Sequence, residues 1–290
     1  MNFKNVLICI LIFPLFLCFP QRDAGDSFYT EKPGTTISSK NQGGPVVVYG
    51  DTRNGHEVHK KIISLILKLK PQAVFHTGDL VYNGKNKGNW DIFNSIIGEL
   101  IKTAPIYPVY GNHERGTIKI DEYLSLPNNG KWYSVDVLNI HFIILDVCEN
   151  YSPGSKQYEW LVNDLENQPK TTKFAAVITH YPIYCTGPHR TGHKKLQAQL
   201  VPLFKKYGVD IVFSGHNHCY ERSFSDGIYY IITAGGGAPL YKQVSHESYS
   251  QLYIKDYNFC ILNITNDSLS VTARDTGMRQ LDHFYIPPFK

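Results

Sequence analysis

The segment Val209-Asp210-Ile211-Val212-Phe213-Ser214 is followed directly by Gly215-His216-Asn217-His218-Cys219-Tyr220-Glu221-Arg222. The first six residues are rich in β-branched and aromatic side chains, which predicts a buried strand that ends in a loop. Two imidazoles one residue apart can both face one pocket there, because beyond the strand the side chains no longer alternate between its two faces. We interpret His216 and His218 as metal ligands that need partners from elsewhere in the chain.

Four other predicted strands end in a similar way. Each apolar run reaches a small residue or a tight turn and then an oxygen or nitrogen donor. The four endings are Gly50-Asp51-Thr52-Arg53, Gly78-Asp79-Leu80-Val81-Tyr82, Gly111-Asn112-His113-Glu114 and His180-Tyr181-Pro182. Because loops at the carboxyl ends of strands carry the chemistry of open α/β sheets, we expect these donors to meet in one site.

The ordered series GD, GD-x-x-Y, GNHE, H-x-P and GHNHxYER resembles the calcineurin-like metallophosphoesterase superfamily. Tyr82 and the sequence GHNHCYERS are most similar to its purple acid phosphatase branch. The motifs run from Asp51 to Arg222, and five in the right order are far more specific than any one alone. In the first motif Arg53 stands two positions after Asp51, where many superfamily members carry a histidine. That loss agrees with the tyrosine-containing branch.

The resemblance implies an α/β fold with an α+β-like four-layer sandwich, in which two facing mixed β-sheets are flanked by helices and a dinuclear metal site lies at the strand C-terminal ends. Apolar periodicity predicts helices at 56–69, 90–102, 157–167 and 192–207, and a hairpin around Leu138-Asn139. Further strands are predicted at 228–234, 258–264 and 269–273. The alternation of strand and helix favours a largely parallel sheet. The later strands have little helix between them and break this alternation.

The resemblance also implies a role for each site residue. Asp79 would bridge two metal ions, and His113 would act outside them as general acid or as stabiliser of the leaving oxygen. One metal would be completed by Asp51, Tyr82 and His218, and the other by Asn112, His180 and His216. A tyrosinate ligand would favour Fe(III) in the first position, with Zn, Fe(II) or Mn in the second.

Most of these residues also have an ordinary structural interpretation when taken singly. Asp51 could cap the following helix, Asp79 could form a turn, and His180 could be a loop histidine. Tyr82 could simply pack against its neighbours. Arg53 could bind phosphate or form a surface ion pair, and His189 could line the substrate pocket or lie in an exposed loop.

Composition limits the alternatives. The 290 residues suffice for one large domain, and the net charge of +4 comes from 29 basic and 25 acidic residues without a basic run typical of nucleic-acid binding. Residues 1–20 resemble a signal peptide, residues 21–44 a leader, and residues 45–290 the catalytic domain. Cys148, Cys185, Cys219 and Cys260 allow zero to two disulfides in an exported protein. His59 is expected to face solvent.

The sequence therefore predicts a secreted, periplasmic or cell-surface phosphatase that hydrolyses small phosphomonoesters by direct attack of a metal-bound hydroxide. A membrane would be involved only through an uncleaved N-terminal segment or a lipid anchor, and no nucleic-acid partner is indicated. A phosphodiesterase or nucleotidase on the same metals is the alternative enzyme. A metal-binding surface protein without turnover is the alternative from another class.

Overall fold

The part of the chain that the structure describes covers most of the expected catalytic domain. The computed structural model describes residues 35–36, 43–115, 120, 124, 126–190, 192–265 and 268–288. These residues belong to one unit, Lys32–Lys290. The expected signal peptide and nearly all of the expected leader lie outside the described residues. Within those residues, no helix has both the length and the apolar composition needed to cross a membrane.

The described residues include four α-helices, which form where the apolar periodicity predicts them. They are α1 (His56–Leu69), α2 (Lys87–Thr103), α3 (Lys156–Glu166) and α4 (His193–Tyr207). Side chains cap two of them: Asn86 accepts from the Asn89 amide before α2, and Ser155 accepts from the Tyr158 amide before α3. Helix α1 ends at Leu69, and the next residue, Lys70, has a φ of 50° and stands before a proline.

The strands form two sheets, each with parallel and antiparallel pairs. In chain order the strands are β1 (Thr35–Thr36), β2 (Val46–Tyr49), β3 (Ala73–His76), β4 (Ile106–Pro108), β5 (Tyr133–Val137), β6 (Ile140–Leu145), β7 (Phe174–Thr179), β8 (Ile211–Ser214), β9 (Tyr220–Ser225), β10 (Ile228–Thr233), β11 (Ser250–Ile254), β12 (Asn258–Thr265), β13 (Ser268–Asp275) and β14 (Gln280–Ile286). The orders are β1-β5-β6-β7-β8-β10-β9-β11 and β14-β13-β12-β2-β3-β4. Strands β2, β3 and β4 are parallel, as are β6, β7 and β8.

The largest apolar cluster lies between the two sheets. Phe75 of the six-stranded sheet stacks on Phe142 of the eight-stranded sheet, with ring centroids 4.0 Å apart. A second cluster packs α1 and α2 on the outside of the six-stranded sheet, and a third packs α3 and α4 on the outside of the other. The order of layers is therefore helix, sheet, sheet, helix, which confirms the expected four-layer sandwich.

Some local predictions need correction. The end of the quoted stretch is not loop, because Tyr220–Ser225 forms β9 and pairs with β10 and β11. Strands β11 and β14 were not predicted. The expectation for His59 is wrong: its side chain is buried, its ring stacks with Phe93 at 5.6 Å, and its Nε2 lies 3.2 Å from the Tyr49 hydroxyl. The hairpin turn is confirmed, since Leu138 and Asn139 have φ values of 53° and 62°.

Candidate metal centre

The predicted donors converge at the edge where the parallel strands of both sheets end. Asp51, Asp79 and Asn112 follow β2, β3 and β4 of the six-stranded sheet. His180 follows β7 of the eight-stranded sheet, and His216 and His218 follow β8. The oxygen donors thus come from one sheet and the imidazoles from the other.

These side chains form two groups that share one carboxylate. Ligand atoms of Asp79, His180 and His216 lie within 4.8 Å of one another, and so do those of Asp51, Asp79 and His218. Asp79 Oδ1 is 3.4 Å from His180 Nε2, which is also 3.0 Å from Asn112 Oδ1. His218 Nε2 is 3.4 Å from Asp51 Oδ1.

The chemistry and spacing of these donors fit two metal ions. Protein nitrogen and oxygen ligands stand about 2.0–2.2 Å from an ion such as zinc, so two ligands of one ion lie roughly 3–4 Å apart. The contacts of 3.0 and 3.4 Å fall within that range. Imidazole and carboxylate together suit zinc, iron and manganese.

The backbone at three of these residues is in the left-handed region, which residues other than glycine rarely adopt. Asp51, Asp79 and His216 have φ values of 59°, 54° and 67°. Hydrogen bonds hold them there: the Asp51 amide donates to Gly78 O at 3.0 Å, and the His216 amide lies 3.1 Å from both Asp51 carboxylate oxygens. Such strain is concentrated at functional sites, where the surrounding structure enforces it.

Backbone carbonyls orient two of the imidazoles. His180 Nδ1 lies 2.8 Å from Thr77 O, and His218 Nδ1 lies 2.7 Å from Pro239 O. A carbonyl oxygen can only accept, so each Nδ1 carries a proton and each Nε2 points toward the carboxylates. This is the arrangement that histidine needs to bind a metal ion through Nε2.

Tyr241 also holds His218, and sequence reasoning missed it. Its ring stacks on the His218 imidazole with centroids 4.3 Å apart and an interplanar angle of 16°. Its amide donates to His218 O at 2.9 Å. The glycines at 235–237 connect this segment to the first motif, because the Gly236 amide donates to Gly50 O at 2.8 Å. No local pattern in the sequence marks Tyr241 as part of the site.

Glu114, the last residue of GNHE, is buried behind Asp79 and supports the loops. Its carboxylate accepts hydrogen bonds from the amides of Asp79 (3.0 Å), Val81 (3.1 Å) and Gly111 (2.8 Å). Burial, with the nearby Asp79 carboxylate, raises the pKa of Glu114 to about 8. Sequence reasoning quoted this residue in the motif but gave it no role.

Burial and neighbouring groups set the charge state of the ligand side chains. Burial raises the pKa of Asp51. Burial acts in the same direction on Asp79, but His180, His113 and Arg53 outweigh it and hold the pKa of Asp79 below its ordinary value. Burial lowers the pKa of His216 to about 3, so its imidazole is neutral at physiological pH.

Two cationic or proton-carrying side chains approach the shared carboxylate from the open side. Arg53 Nε donates to Asp79 Oδ2 at 3.2 Å, and Arg53 Nη2 lies 3.3 Å from His218 Nε2. The His113 amide donates to Asp79 Oδ1 at 3.1 Å, while its Nε2 is 3.8 Å from Asp79 Oδ2. Arg53 thus forms an ion pair within the cluster, with 15% of its side chain exposed, and its role in phosphate binding stays a prediction.

Tyr82 and His189 occupy different surroundings. Tyr82 is 56% exposed, its ring lies 5.6 Å from that of His113, and no hydrogen bond within the described residues joins its hydroxyl to the cluster. Its role as a ligand stays a prediction.

His189 lies beside the cluster, with its ring 5.1 Å from that of His216 and 4.8 Å from that of Tyr241. Asn217 fixes this loop, because it accepts from the His189 amide at 3.1 Å and donates to His189 O at 2.8 Å.

Comparison with known proteins agrees with this arrangement. Residues 44–220 match the model of the calcineurin-like phosphoesterase family, and the chain belongs to that family of dinuclear metal-dependent phosphoesterases. It is 33% identical over 162 residues to purple acid phosphatase 18 of Arabidopsis thaliana, an alignment that covers 50% of this chain and 37% of the relative. It is 30% identical over 189 residues to purple acid phosphatase 1 of Ipomoea batatas, covering 57% and 40%. These matches span less than half of each relative.

Solved structures show the same fold. Purple acid phosphatase PPD1 from yellow lupin superposes with a TM-score of 0.72 at 23% identity, over 83% of this chain and 53% of that one. GAP50, described as the anchor in the inner membrane complex of Plasmodium, superposes with a TM-score of 0.71 at 18% identity, over 85% and 89%. At these identities the likeness concerns the fold alone.

Proposed function

We propose that this protein hydrolyses phosphomonoesters as an exported, dinuclear metal-dependent phosphatase. The observation that carries the proposal is the pair of ligand groups sharing Asp79, with His113 and Arg53 at the same carboxylate. The proposed ligands are the seven residues implied by the resemblance: Asp51, Asp79, Tyr82, Asn112, His180, His216 and His218.

The residues around the carboxylate suit phosphate ester hydrolysis. Two bound metal ions would supply Lewis acidity toward phosphoryl oxygens and would activate a water molecule. His113, with a partly exposed ring beside Asp79, would deliver a proton to the leaving oxygen. Arg53 offers a planar fork of donors that matches two phosphate oxygens, and His189 would contact the substrate from the neighbouring loop.

The proposed metals are Fe(III) with Zn, Fe(II) or Mn. One relative, from Arabidopsis thaliana, is named an Fe(3+)-Zn(2+) purple acid phosphatase and is 28% identical over 176 residues. The proposed ligand Tyr82 is 56% exposed, with its ring 5.6 Å from that of His113, and its coordination to Fe(III) is part of the proposal. A visible absorption spectrum of the iron-loaded protein tests this: a charge-transfer band that Tyr82→Phe abolishes would establish the tyrosinate, and an iron-loaded protein without the band would exclude it.

Export is proposed from the apolar segment at residues 6–19. Expression of the full chain in its natural cell type, fractionation and N-terminal sequencing would test it. A processed protein outside the cytoplasm agrees with cleavage, whereas an intact N-terminus in the membrane fraction would favour an uncleaved anchor. In the described residues the four cysteines Cys148, Cys185, Cys219 and Cys260 are free thiols, which is the lowest of the disulfide numbers that the sequence allows.

The activity is tested by comparing a monoester with a diester on one preparation. We expect para-nitrophenyl phosphate to be hydrolysed by metal-loaded protein and bis(para-nitrophenyl) phosphate to be hydrolysed much more slowly. The reverse preference would support the phosphodiesterase or nucleotidase. Bound metal with no turnover of either ester, or of a nucleotide, would support a non-catalytic surface protein. His283→Ala, which changes an exposed histidine of β14, is the matched control.

A further inference from the structure

A positively charged side chain stands at the rim of the metal centre without a negatively charged partner among the described residues. Arg115 directly follows the GNHE motif and is exposed. Its Nη2 donates to Cys148 O at 3.2 Å, and its guanidinium carbon lies 6.0 Å from the centre of the Tyr181 ring. We propose that Arg115 and Tyr181 bind the leaving group of the substrate, and that they select phosphomonoesters whose leaving group carries a second anionic group.

Tyr181 connects this arginine to the predicted ligands. Its ring is half-buried and meets the His216 imidazole edge to face, with centroids 4.7 Å apart and an interplanar angle of 82°. The same ring lies 5.3 Å from that of His180. The guanidinium therefore stands one aromatic ring away from the imidazoles at the sheet edge. An aromatic side chain in this position offers an apolar surface to the organic part of a substrate.

The charge of Arg115 remains available to a ligand. Among the described residues no carboxylate forms an ion pair with it. The two acidic side chains that flank Cys148 have other partners: Asp146 accepts from the Cys148 amide at 3.0 Å, and Glu149 pairs with Lys131 at 2.8 Å. A carbonyl oxygen such as that of Cys148 engages one N–H of the guanidinium, so donors that match the two oxygens of a carboxylate or phosphate remain. The geometry thus suits an anion.

The proposed chemistry brings the leaving group to this pair of side chains. His113 is the proposed proton donor to the leaving oxygen, and it stands two residues before Arg115 in the chain. The rest of the leaving group would pass the Tyr181 ring as it extends from that oxygen toward solvent. The phosphate itself is assigned to Arg53 and His189. The inference therefore rests on the proposed phosphatase and adds the class of leaving group that it prefers.

Two aryl phosphates that differ in one charge test the inference on the metal-loaded full chain. The esters 4-carboxyphenyl phosphate and 4-carbamoylphenyl phosphate have nearly the same shape, but only the first carries a second anion. One benzene ring separates its phosphate from its carboxylate, as the Tyr181 ring separates the imidazoles from the guanidinium. The measured quantity is the ratio of the two kcat/KM values. Comparing this ratio between variants cancels the intrinsic reactivity of the leaving groups.

Arg115→Gln should lower this ratio by about two- to fivefold, the size expected of an exposed ion pair. Arg115→Glu should lower it further, because a carboxylate at this position repels the charged ester. Arg115→Lys keeps the charge without the planar fork, so its ratio should lie between those of the natural protein and Arg115→Gln. The matched control is Arg279→Gln, at an exposed arginine paired with Asp275 and Asp256, which should keep the ratio of the natural protein.

The contribution of the ring is measured separately. Tyr181→Leu should lower kcat/KM for both aryl esters relative to glycerol 3-phosphate, which has no aromatic group. If this variant proves unfolded by circular dichroism, the Arg115 variants at the exposed rim decide the question.

A ratio that stays unchanged in both Arg115→Gln and Arg115→Glu, with turnover retained, would overturn the inference and leave the proposed phosphatase intact. An equal fall in kcat/KM for both aryl esters would also overturn it, because Arg115 would then attract any phosphate rather than select the leaving group. If the metal-loaded natural protein hydrolyses neither aryl ester nor para-nitrophenyl phosphate, the proposed function fails and the inference fails with it.

Discussion

Two clusters in this fold combine histidine with aspartate, and they differ in the partners of the imidazole nitrogens. In one cluster both nitrogens of the ring bond carboxylates, and in the other only Nε2 faces them. In the first, His141 of β6 lies between Asp136 of β5 and Asp164 of α3, with Nδ1–Oδ1 at 2.6 Å and Nε2–Oδ2 at 2.9 Å. Ser134 donates to the remaining oxygen of Asp164 at 2.6 Å. Burial alone would lower the pKa of His141, but the hydrogen bonds to Asp136 and Asp164 raise it to about 9.

The metal centre has the opposite balance. Its histidines His180 and His218 donate from Nδ1 to backbone carbonyls, so each has only Nε2 to offer to the carboxylates. Each Nε2 lies 3.4 Å from a carboxylate oxygen, farther than the contacts of 2.6 and 2.9 Å at His141. The same residue types thus make a closed ion pair in one place and a cation-binding site in the other, and the partner of Nδ1 decides which.

The largest effect is expected from Asp79→Asn. This change removes the carboxylate that both ligand groups share, so both metals and their chemistry should be lost. A loss of several kcal/mol of transition-state stabilisation corresponds to a fall in turnover of at least about a thousandfold. Elemental analysis and the rate with para-nitrophenyl phosphate measure it. Full turnover and full metal content in this variant would contradict the site.

His113→Ala should lower turnover but keep the metals. The imidazole is partly exposed beside Asp79 and belongs to neither ligand group, so metal content should not change. Loss of a general acid typically costs about 10²–10⁴-fold in rate. Because a good leaving group needs less protonation, the loss should be larger with phenyl phosphate than with para-nitrophenyl phosphate. An equal loss with both esters would indicate that His113 does not protonate the leaving oxygen.

His141→Asn should reduce stability without affecting metal binding. The folded pKa of His141 lies above its unfolded value of about 6.5, so the cluster stabilises the protein fully below pH 6.5 and loses this contribution as the pH rises through about 9. The shift corresponds to about 3 kcal/mol. Denaturant unfolding should show the natural protein and the variant differing by about that much at pH 6 and converging near pH 10. A constant difference across this range would show that His141 is neutral. His283→Asn serves as the surface control.

The smallest effect is expected from Asn217→Ala. Asn217 lies between the two predicted ligands of the His-x-His motif but turns away from the metals and holds the His189 loop. Loosening that loop should raise the KM for para-nitrophenyl phosphate by about tenfold, in line with other residues that orient a site from behind. The metal content by elemental analysis should not change. Loss of metal would mean that Asn217 positions the histidines rather than the substrate loop.

The sequence allowed most of the fold and the identity of the converging donors to be predicted, for a physical reason. Long amphipathic helices such as α1 and buried strands such as β8 have strong periodicity, and a donor after a parallel strand has to lie at one edge of the sheet. Strand β14 was not predicted because it is a half-exposed edge strand whose polar and apolar residues do not alternate clearly. His59 was misjudged because it stands beside lysines on a helix whose buried face extends to it.

The side-chain contacts could not be predicted. Whether Arg53 turns to the shared carboxylate or to solvent depends on torsions that a motif does not record. Tyr241 reaches His218 through tertiary packing, and nothing in its own neighbours signals this. Tyr82 shows the limit most clearly, because its spacing from Asp79 matches the family while its side chain is exposed.

The division of donors between the sheets has a mechanical consequence. A cation held by Asp51 or Asp79 from one sheet and by His180 or His218 from the other would cross-link the two layers at the edge where the core between them ends. Such a link would join residues that are far apart in the sequence. A disulfide between distant residues stabilises a fold mainly by restricting the unfolded chain, and a metal cross-link would act in the same way. Chelation should therefore increase hydrogen exchange at the carboxyl ends of strands in both sheets, while β13 and β14, which β12 separates from the ligand-bearing strands of their sheet, keep their protection.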